Sequence, residues 1–332
     1  MMNRGPIFLA GADRSGTTLT YAVLASHPSI AMPRLGTNMW TFFYGQHGDL
    51  SRPENFERCL AALMRYKNVL AMEPDSARIR HEFRQGPPTY ARLFALFLCH
   101  YAERVHKPRW GDRISYVERY ADEIFAAHPD AVMIHLIRDP RDRYASSIKR
   151  WPEQKGQVGG ATARWLYSVG LAKRNLAKHP ERYRILRYET LVSQPEATIR
   201  GLCAFLGEEY DPAMLTMSGS EGFLRKGGNS SFEQFEPGKF TTAAVGRYRK
   251  TISAREVAFI QALAGREMRA FDYEPERIEL TGRDLLSFCL VLAPNNLGRM
   301  VFWRALEAAQ HNLPSRVGRT PFARRLVVDG NS

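Results

Sequence analysis

The apolar run Pro6-Ile7-Phe8-Leu9-Ala10 breaks into Gly11-Ala12-Asp13-Arg14-Ser15-Gly16-Thr17-Thr18, and helical spacing resumes at Leu19, Ala22, Val23 and Leu24. A buried strand, a glycine-spaced turn and a helix in immediate succession fit few architectures. They place the turn at the carboxyl edge of an α/β sheet, where open sheets bind ligands. There the first backbone N–H groups of the helix point at an anion, and a phosphate is the usual guest.

The rest of the chain agrees with such a sheet. Two more short runs rich in Ile, Val and Leu follow, Ala131–Ile137 and Tyr183–Leu186. Helical patterns separate them: Glu54–Tyr66, Tyr90–Arg104, Val117–Ala127, Ala161–Lys178, Glu196–Leu206 and Ala254–Phe271. This alternation predicts an α/β fold, a P-loop-like, mostly parallel sheet flanked by helices. Gly86-Pro87-Pro88 punctuates two helical blocks, and Glu221–Thr242 reads as a loop that covers the site. After about Glu279 the pattern changes: Leu285–Leu292 is apolar, Gly298–Ala309 is amphipathic, and the tail carries Arg316, Arg319, Arg324 and Arg325. Residues 1–279 are therefore expected to form the catalytic domain, and 280–332 a basic, amphipathic helical extension.

Composition narrows the partners. A net charge of +13 over 332 residues favours polyanions: nucleotides, nucleic acid or anionic membrane. No zinc finger, aromatic RNA-binding signature or recognition helix accompanies the charge, so a nucleic-acid partner is not expected. Cys59, Cys99, Cys203 and Cys289 lack metal or disulfide spacing and read as small hydrophobes in a reducing compartment. No signal peptide is visible, and Leu285–Pro294 falls short of the roughly 20 residues that span a bilayer. A cytoplasmic location follows, with membrane contact through the extension as a further expectation.

The Gly-x-x-x-x-Gly spacing is that of a triphosphate-binding loop, but Thr17 stands where such a loop has its lysine. The loop's cation is Arg14 instead. This disfavours the alternative of a nucleotide-dependent kinase or hydrolase, as does the absence of a clear metal-binding aspartate on a second strand. Asp139 comes nearest, and it lies between Arg138 and Pro140.

A second stretch, His135-Leu136-Ile137-Arg138-Asp139-Pro140-Arg141-Asp142-Arg143-Tyr144-Ala145-Ser146-Ser147, ends a strand in an arginine and starts a helix. Pro140 suits the first turn, and Asp139 suits the N-cap. Arg138 and Ser146 are placed to grip a second phosphate, by a charge-assisted fork and a hydroxyl. A second reading pairs Arg138 with Asp142 and leaves the serines in solvent.

Together the two stretches resemble the phosphate-binding elements of sulfotransferases that use 3′-phosphoadenosine 5′-phosphosulfate (PAPS). In that family the loop holds the 5′-phosphosulfate, and an arginine with a serine eight positions on (here 146 − 138) holds the 3′-phosphate. Arg14-Ser15-Gly16-Thr17-Thr18-Leu19 followed by His27-Pro28 resembles the branch acting on carbohydrate, tyrosyl, lipid or bacterial metabolite acceptors. Trp110-Gly111-Asp112-Arg113 is similar to its Trp-Gly-Asp-Lys element. Arg187-Tyr188-Glu189-Thr190-Leu191, Phe205-Leu206-Gly207 and Gly246-Arg247-Tyr248-Arg249-Lys250 resemble later ones, in order over roughly residues 5–275.

The resemblance implies metal-independent, in-line transfer of a sulfuryl group from PAPS, the co-substrate, to an acceptor hydroxyl of a carbohydrate, lipid or secondary metabolite. It assigns Arg14, Ser15, Gly16, Thr17, Thr18, Arg138, Ser146, Gly246, Arg247, Tyr248 and Arg249 to the nucleotide. Arg14 and Arg113 would act electrostatically, because a guanidinium does not give up its proton. Arg113 reads equally as the partner of Asp112 or Glu118. The branch often carries a glutamate base after the His-Pro, but Met32-Pro33-Arg34-Leu35-Gly36-Thr37-Asn38 has no carboxylate. Asp112 is the first choice of base, ahead of Glu73, His47 and Asp49. Trp40–Tyr44 reads as an acceptor wall or as core, the helix Tyr90–Arg104 as buried or as a channel wall, and Tyr188 with Glu189 as fold-ordering.

Overall fold

Strand β1 (Ile7–Ala10) is buried on both faces, as the middle strand of a parallel sheet must be. The computed structural model describes residues 5–224 and 238–312. In it β2 (Ile30–Ala31), β3 (Arg109–Arg113), β4 (Val132–Ile137) and β5 (Tyr183–Arg187) join β1 in the order β2-β3-β1-β4-β5, every pair parallel. Leu9 of β1 aligns with Arg113 on one side and Ile134 on the other. Alternation along β1 feeds two cores. Ile7 and Leu9 pack with Val23, Leu24 and Leu202, while Phe8 and Ala10 pack with Phe94, Phe97 and Ile124.

From β1 the chain runs through α1 (Thr17–Ala25) to β2 on one side, and β4 lies on the other side of β1. The crevice at the carboxyl ends of β1 and β4 is thus where the chain diverges, the place at which open α/β sheets take their ligands. Helices α2 (Tyr90–Arg104), α3 (Pro140–Arg150), α4 (Val158–Lys178) and α5 (Ala254–Arg269) flank the sheet. Ser253 and Glu256 close a reciprocal capping box at the start of α5.

Several expectations meet differences. Strand β3 lies on the Trp-Gly-Asp-Arg stretch, too polar to read as a strand, and β2 is only two residues long. Val117–Ala127 divides into a 3₁₀ turn, Val117–Tyr120, and a helix, Ala121–Ala127, with Tyr116 left-handed at φ 61° and Glu118 turned inward. The helix Ser76–Phe83, capped by Asp75, was not anticipated. Most of the Glu221–Thr242 loop, and Arg316, Arg319, Arg324 and Arg325, lie outside the described residues. The late apolar stretch is longer than its sequence suggests. Gly282–Ser287, a π-helical segment Phe288–Leu292 and α6 (Ala293–Asn312) run on as one helix, whose 28 residues Gly282–Ala309 are long and apolar enough to cross a membrane.

Candidate active site

The turn after β1 is shaped by two left-handed glycines, Gly11 at φ 125° and Gly16 at φ 99°. A Cβ on Gly11 would stand 2.4 Å from the Leu136 carbonyl oxygen, so the loop can lie this close to β4 only with glycine. Glu118, wholly buried, accepts from Gly11 N at 3.3 Å and from Ser168 Oγ at 2.7 Å, tying the loop to α4. Gly16 caps α1 without a side-chain hydrogen bond, and no acidic residue sits in the first turn. The positive end of the helix is left for an anion.

The loop and the end of β4 each bring a cation to this end. Arg14, left-handed at φ 70°, donates from Nε to Ser146 Oγ at 3.0 Å. Arg138 leaves the end of β4 and donates from Nη1 to the Arg14 carbonyl at 3.2 Å and from Nη2 to the Ala244 carbonyl at 2.7 Å. Its guanidinium lies 4.4 Å from the centre of the Tyr188 ring, and its buried Nε has no partner among the described residues. The pairing of Arg138 with Asp142 is not what forms. Asp142 instead accepts from Gly246 N at 2.7 Å and Tyr248 N at 2.8 Å, anchoring the late Gly-Arg-Tyr segment over α3. Ser146 and Ser147 are buried, not solvated.

Helix α3 is polar in sequence and yet buried from Pro140 to Ser147. Arg141 is satisfied by Asp139, but the buried Nε of Arg143, like that of Arg138, has no partner. Burial and the neighbouring Arg138, Arg150 and Arg143 push Arg14 down to about 10. Burial likewise lowers Arg164, with Arg143 adding to the effect. So many cations in one place are unfavourable by themselves and favourable around a polyanion. Arg143 and Arg164 were missed in the sequence. The i, i+3 spacing of Arg143 and Ser146 was the available signal, whereas Arg164 comes near only because α4 packs on α3.

A 240 Å³ cavity opens beside the loop, bounded by Asp13, Arg14, Thr17 and Thr18, with Asn38, Asn68, Arg113, Ser115 and Trp151 opposite. Arg113 reaches the loop itself, donating from Nη1 to Thr18 Oγ1 at 2.7 Å. Asp112 does not reach the cavity. It is wholly buried, accepts from Thr37 N at 3.0 Å and Arg113 N at 2.8 Å, and takes the Thr37 hydroxyl as well. Burial raises its pKa to about 6. Its geometry is that of a brace between β3 and the Thr37 turn. His47 stacks on Phe43, Asp49 caps Ser51, and Glu73 pairs with Arg104; none of the three lines the cavity. The carboxylate that does is Asp13, which accepts from Ser115 Oγ at 2.7 Å. Arg249 pairs with Glu276, while Arg247 donates to the Ala243 carbonyl at 3.1 Å. Glu189 accepts from Asp139 N and the Tyr273 hydroxyl, the fold-ordering role expected of it.

A larger cavity of 810 Å³ lies between Trp40, Tyr44, Tyr90 and His128. It shares no lining residue with the first, and Arg14, Arg138 and Ser146 are not among its walls. Of the Trp40–Tyr44 segment, Trp40 and Tyr44 line this second hollow, and Phe42 and Phe43 pack against the core.

The sulfotransferase family model matches residues 6–212, more than half of the chain and inclusive of the loop, Arg138 and Ser146. The chain belongs to the sulfotransferase family. Among curated proteins, it is 27% identical over 225 residues to an uncharacterized protein of Aquifex aeolicus, covering 64% of this chain and 27% of that one. It is 28% identical over 180 residues to mouse carbohydrate sulfotransferase 5, covering 46% of this sulfotransferase and 44% of the mouse protein. The chain therefore spans less than half the length of either relative. Among solved structures it overlays on the sulfotransferase domain of the Synechococcus PCC 7002 olefin synthase with a TM-score of 0.49 at 21% identity, covering 80% of this chain and 97% of that domain. That overlay is loose, and the fold description stands on the strand order itself.

Proposed function

We propose that this sulfotransferase moves the sulfuryl group of PAPS to an acceptor hydroxyl by in-line transfer. The observation that carries the reading is the meeting of three elements at one point: the loop's Arg14, the Arg138 that ends β4, and Ser146 of α3. Arg138 and Ser146, with Arg143 near them, suit the 3′-phosphate. Ser15, Thr17 and Thr18 at the start of α1 suit the 5′-phosphate that departs as the leaving group. In this reading Gly246, Arg247, Tyr248 and Arg249 border the nucleotide, and Asp142 fixes that segment through Gly246 N and Tyr248 N. Sulfuryl transfer builds negative charge on the bridging oxygen, and Arg14 and Arg113 supply fixed positive charge there. These arginines do the work of a divalent cation, and the scheme asks for no metal.

The acceptor enters the 240 Å³ cavity, where Asp13 is the carboxylate that takes its proton, held in place by Ser115. Asn38 and Asn68 add hydrogen-bonding groups suited to a hydroxylated substrate: a carbohydrate, a lipid headgroup or a secondary metabolite. Four free cysteines favour a cytoplasmic setting. Calorimetric titration with adenosine 3′,5′-bisphosphate in the absence of magnesium tests the reading, on the wild type and on Arg138→Ala. Binding by the wild type that collapses in the variant supports it. A wild type that ignores this nucleotide but binds ATP with magnesium sinks it.

A further inference from the structure

The helical run Gly282–Ala309 uses only one of its sides to hold the fold. On the inner side, Asn296 Oδ1 accepts from Gly159 N of α4 at 2.8 Å. The helices approach so closely there that a Cβ on Gly159 would lie 2.1 Å from the Asn296 carbonyl oxygen. Trp303 packs edge-on against Tyr167 at 5.6 Å, and Glu307 pairs with Arg119 at 2.8 Å in a largely buried bridge.

Among the described residues, the outer side has no such partners. Leu290, Val301 and Phe302 are 68%, 70% and 66% exposed, and Leu285, Leu286, Val291 and Leu297 are exposed with them. At about 100° per residue, Leu297, Val301, Pro294, Gly298 and Phe302 share an arc of about 140° on α6. Arg304 falls about 20° outside one edge of this arc and Arg299 about 60° beyond the other, both exposed. The nearby carboxylates are spent elsewhere: Glu307 on Arg119, and Asp284 on the Thr281 cap. The 20 residues that follow, 313–332, add four arginines against one aspartate.

We infer that this face rests in the plane of an anionic lipid surface, its apolar arc in the headgroup boundary and its arginines on lipid phosphates. An exposed apolar face of this extent marks an interaction site, and an arc rimmed by snorkelling cations is the pattern of an interfacial helix. A transmembrane course would strip Asn296 and Glu307 from α4 and the 3₁₀ turn and carry Arg299, Arg304 and Glu307 into hydrocarbon. Pairing with a second copy would set arginine edges against each other, with no carboxylate on the arc to meet them. A phosphate headgroup layer complements both the apolar arc and its rim.

The test is co-sedimentation of the full chain with phosphatidylcholine vesicles, with and without phosphatidylglycerol, at low and high salt. Two variants accompany it: Val301→Asp with Phe302→Asp, and Arg299→Glu with Arg304→Glu. The expected result is binding to phosphatidylglycerol vesicles that salt weakens and that each double variant weakens about tenfold or more. Thermal melts should match the wild type, since all four residues are exposed, and alkaline carbonate should release the bound protein. Failure to bind these vesicles overturns the inference, as does retention after carbonate. A dimer by sedimentation velocity that Val301→Asp with Phe302→Asp dissociates, without vesicle binding, overturns it in favour of a second copy.

Discussion

Arg138 has exchanged water for two carbonyls, an aromatic face and a buried Nε that none of the described residues meets. Such a group is worth its desolvation only when an anion completes it. Arg138→Ala is expected to weaken adenosine 3′,5′-bisphosphate binding about a hundredfold, and Arg138→Lys nearly as much, because an ammonium cannot reproduce the fork. Calorimetry reads both. Asp13→Asn should leave nucleotide affinity intact or improved, while kcat falls by about 10² to 10⁴; an unchanged kcat removes Asp13 from the chemistry. Asp112 has a different signature. Its folded pKa, about 6, lies above the ordinary 3.8, so the folded state holds its proton more tightly. Its contribution to stability is full below 3.8 and fades as pH rises through about 6. Asp112→Asn, whose carbonyl can accept from Thr37 N and Arg113 N, should flatten that part of the Tm–pH curve. A curve that keeps its slope would assign the proton to another group.

At the scale of elements, the loop is held between β4 and the Val117–Tyr120 turn, with Gly11 packed on the Leu136 carbonyl and its N–H on Glu118. Gly11→Ala forces both a clash and a left-handed residue, and should cost about 1–3 kcal/mol. Differential scanning calorimetry checks the Tm, and nucleotide binding should drop with it because the same backbone shapes the phosphate site. Helix α3 was readable from Asp139-Pro140 at its start, since a cap and a first-turn proline are local signals. Its burial was not readable: the run Arg141-Asp142-Arg143 looks like a solvated face. It is covered because α4, α5 and the Gly246–Tyr248 segment close over it. Strand β3 hid for a related reason. Its Trp-Gly-Asp-Arg residues serve the turn at Thr37 and the loop at Thr18, so the alternation of a strand is overwritten by polar groups with work at its end.

For the whole molecule, a net charge of +13 and a crowd of arginines around one loop make the empty protein electrostatically unfavourable. Binding adenosine 3′,5′-bisphosphate should therefore raise Tm by several degrees at saturation and lose affinity steadily with salt. A thermal-shift series with rising sodium chloride and with EDTA separates the contributions. Salt is expected to erode the shift and EDTA to leave it unchanged.

The strand, turn and helix at residues 6–25, the placing of Arg138 and Ser146 on a second strand-helix junction, and the α/β class are all written in local sequence. Each follows from short-range chemistry: glycine's access to positive φ, proline at a first turn, apolar period in a strand or helix. The order of strands, the burial of α3, the recruitment of Arg143 and Arg164, the brace made by Asp112 and the turning of Asp13 into the cavity were decided by tertiary packing. Those properties depend on which helix covers which polar side chain. Glu118 meets Gly11, 107 residues away in the chain, only after the sheet has assembled.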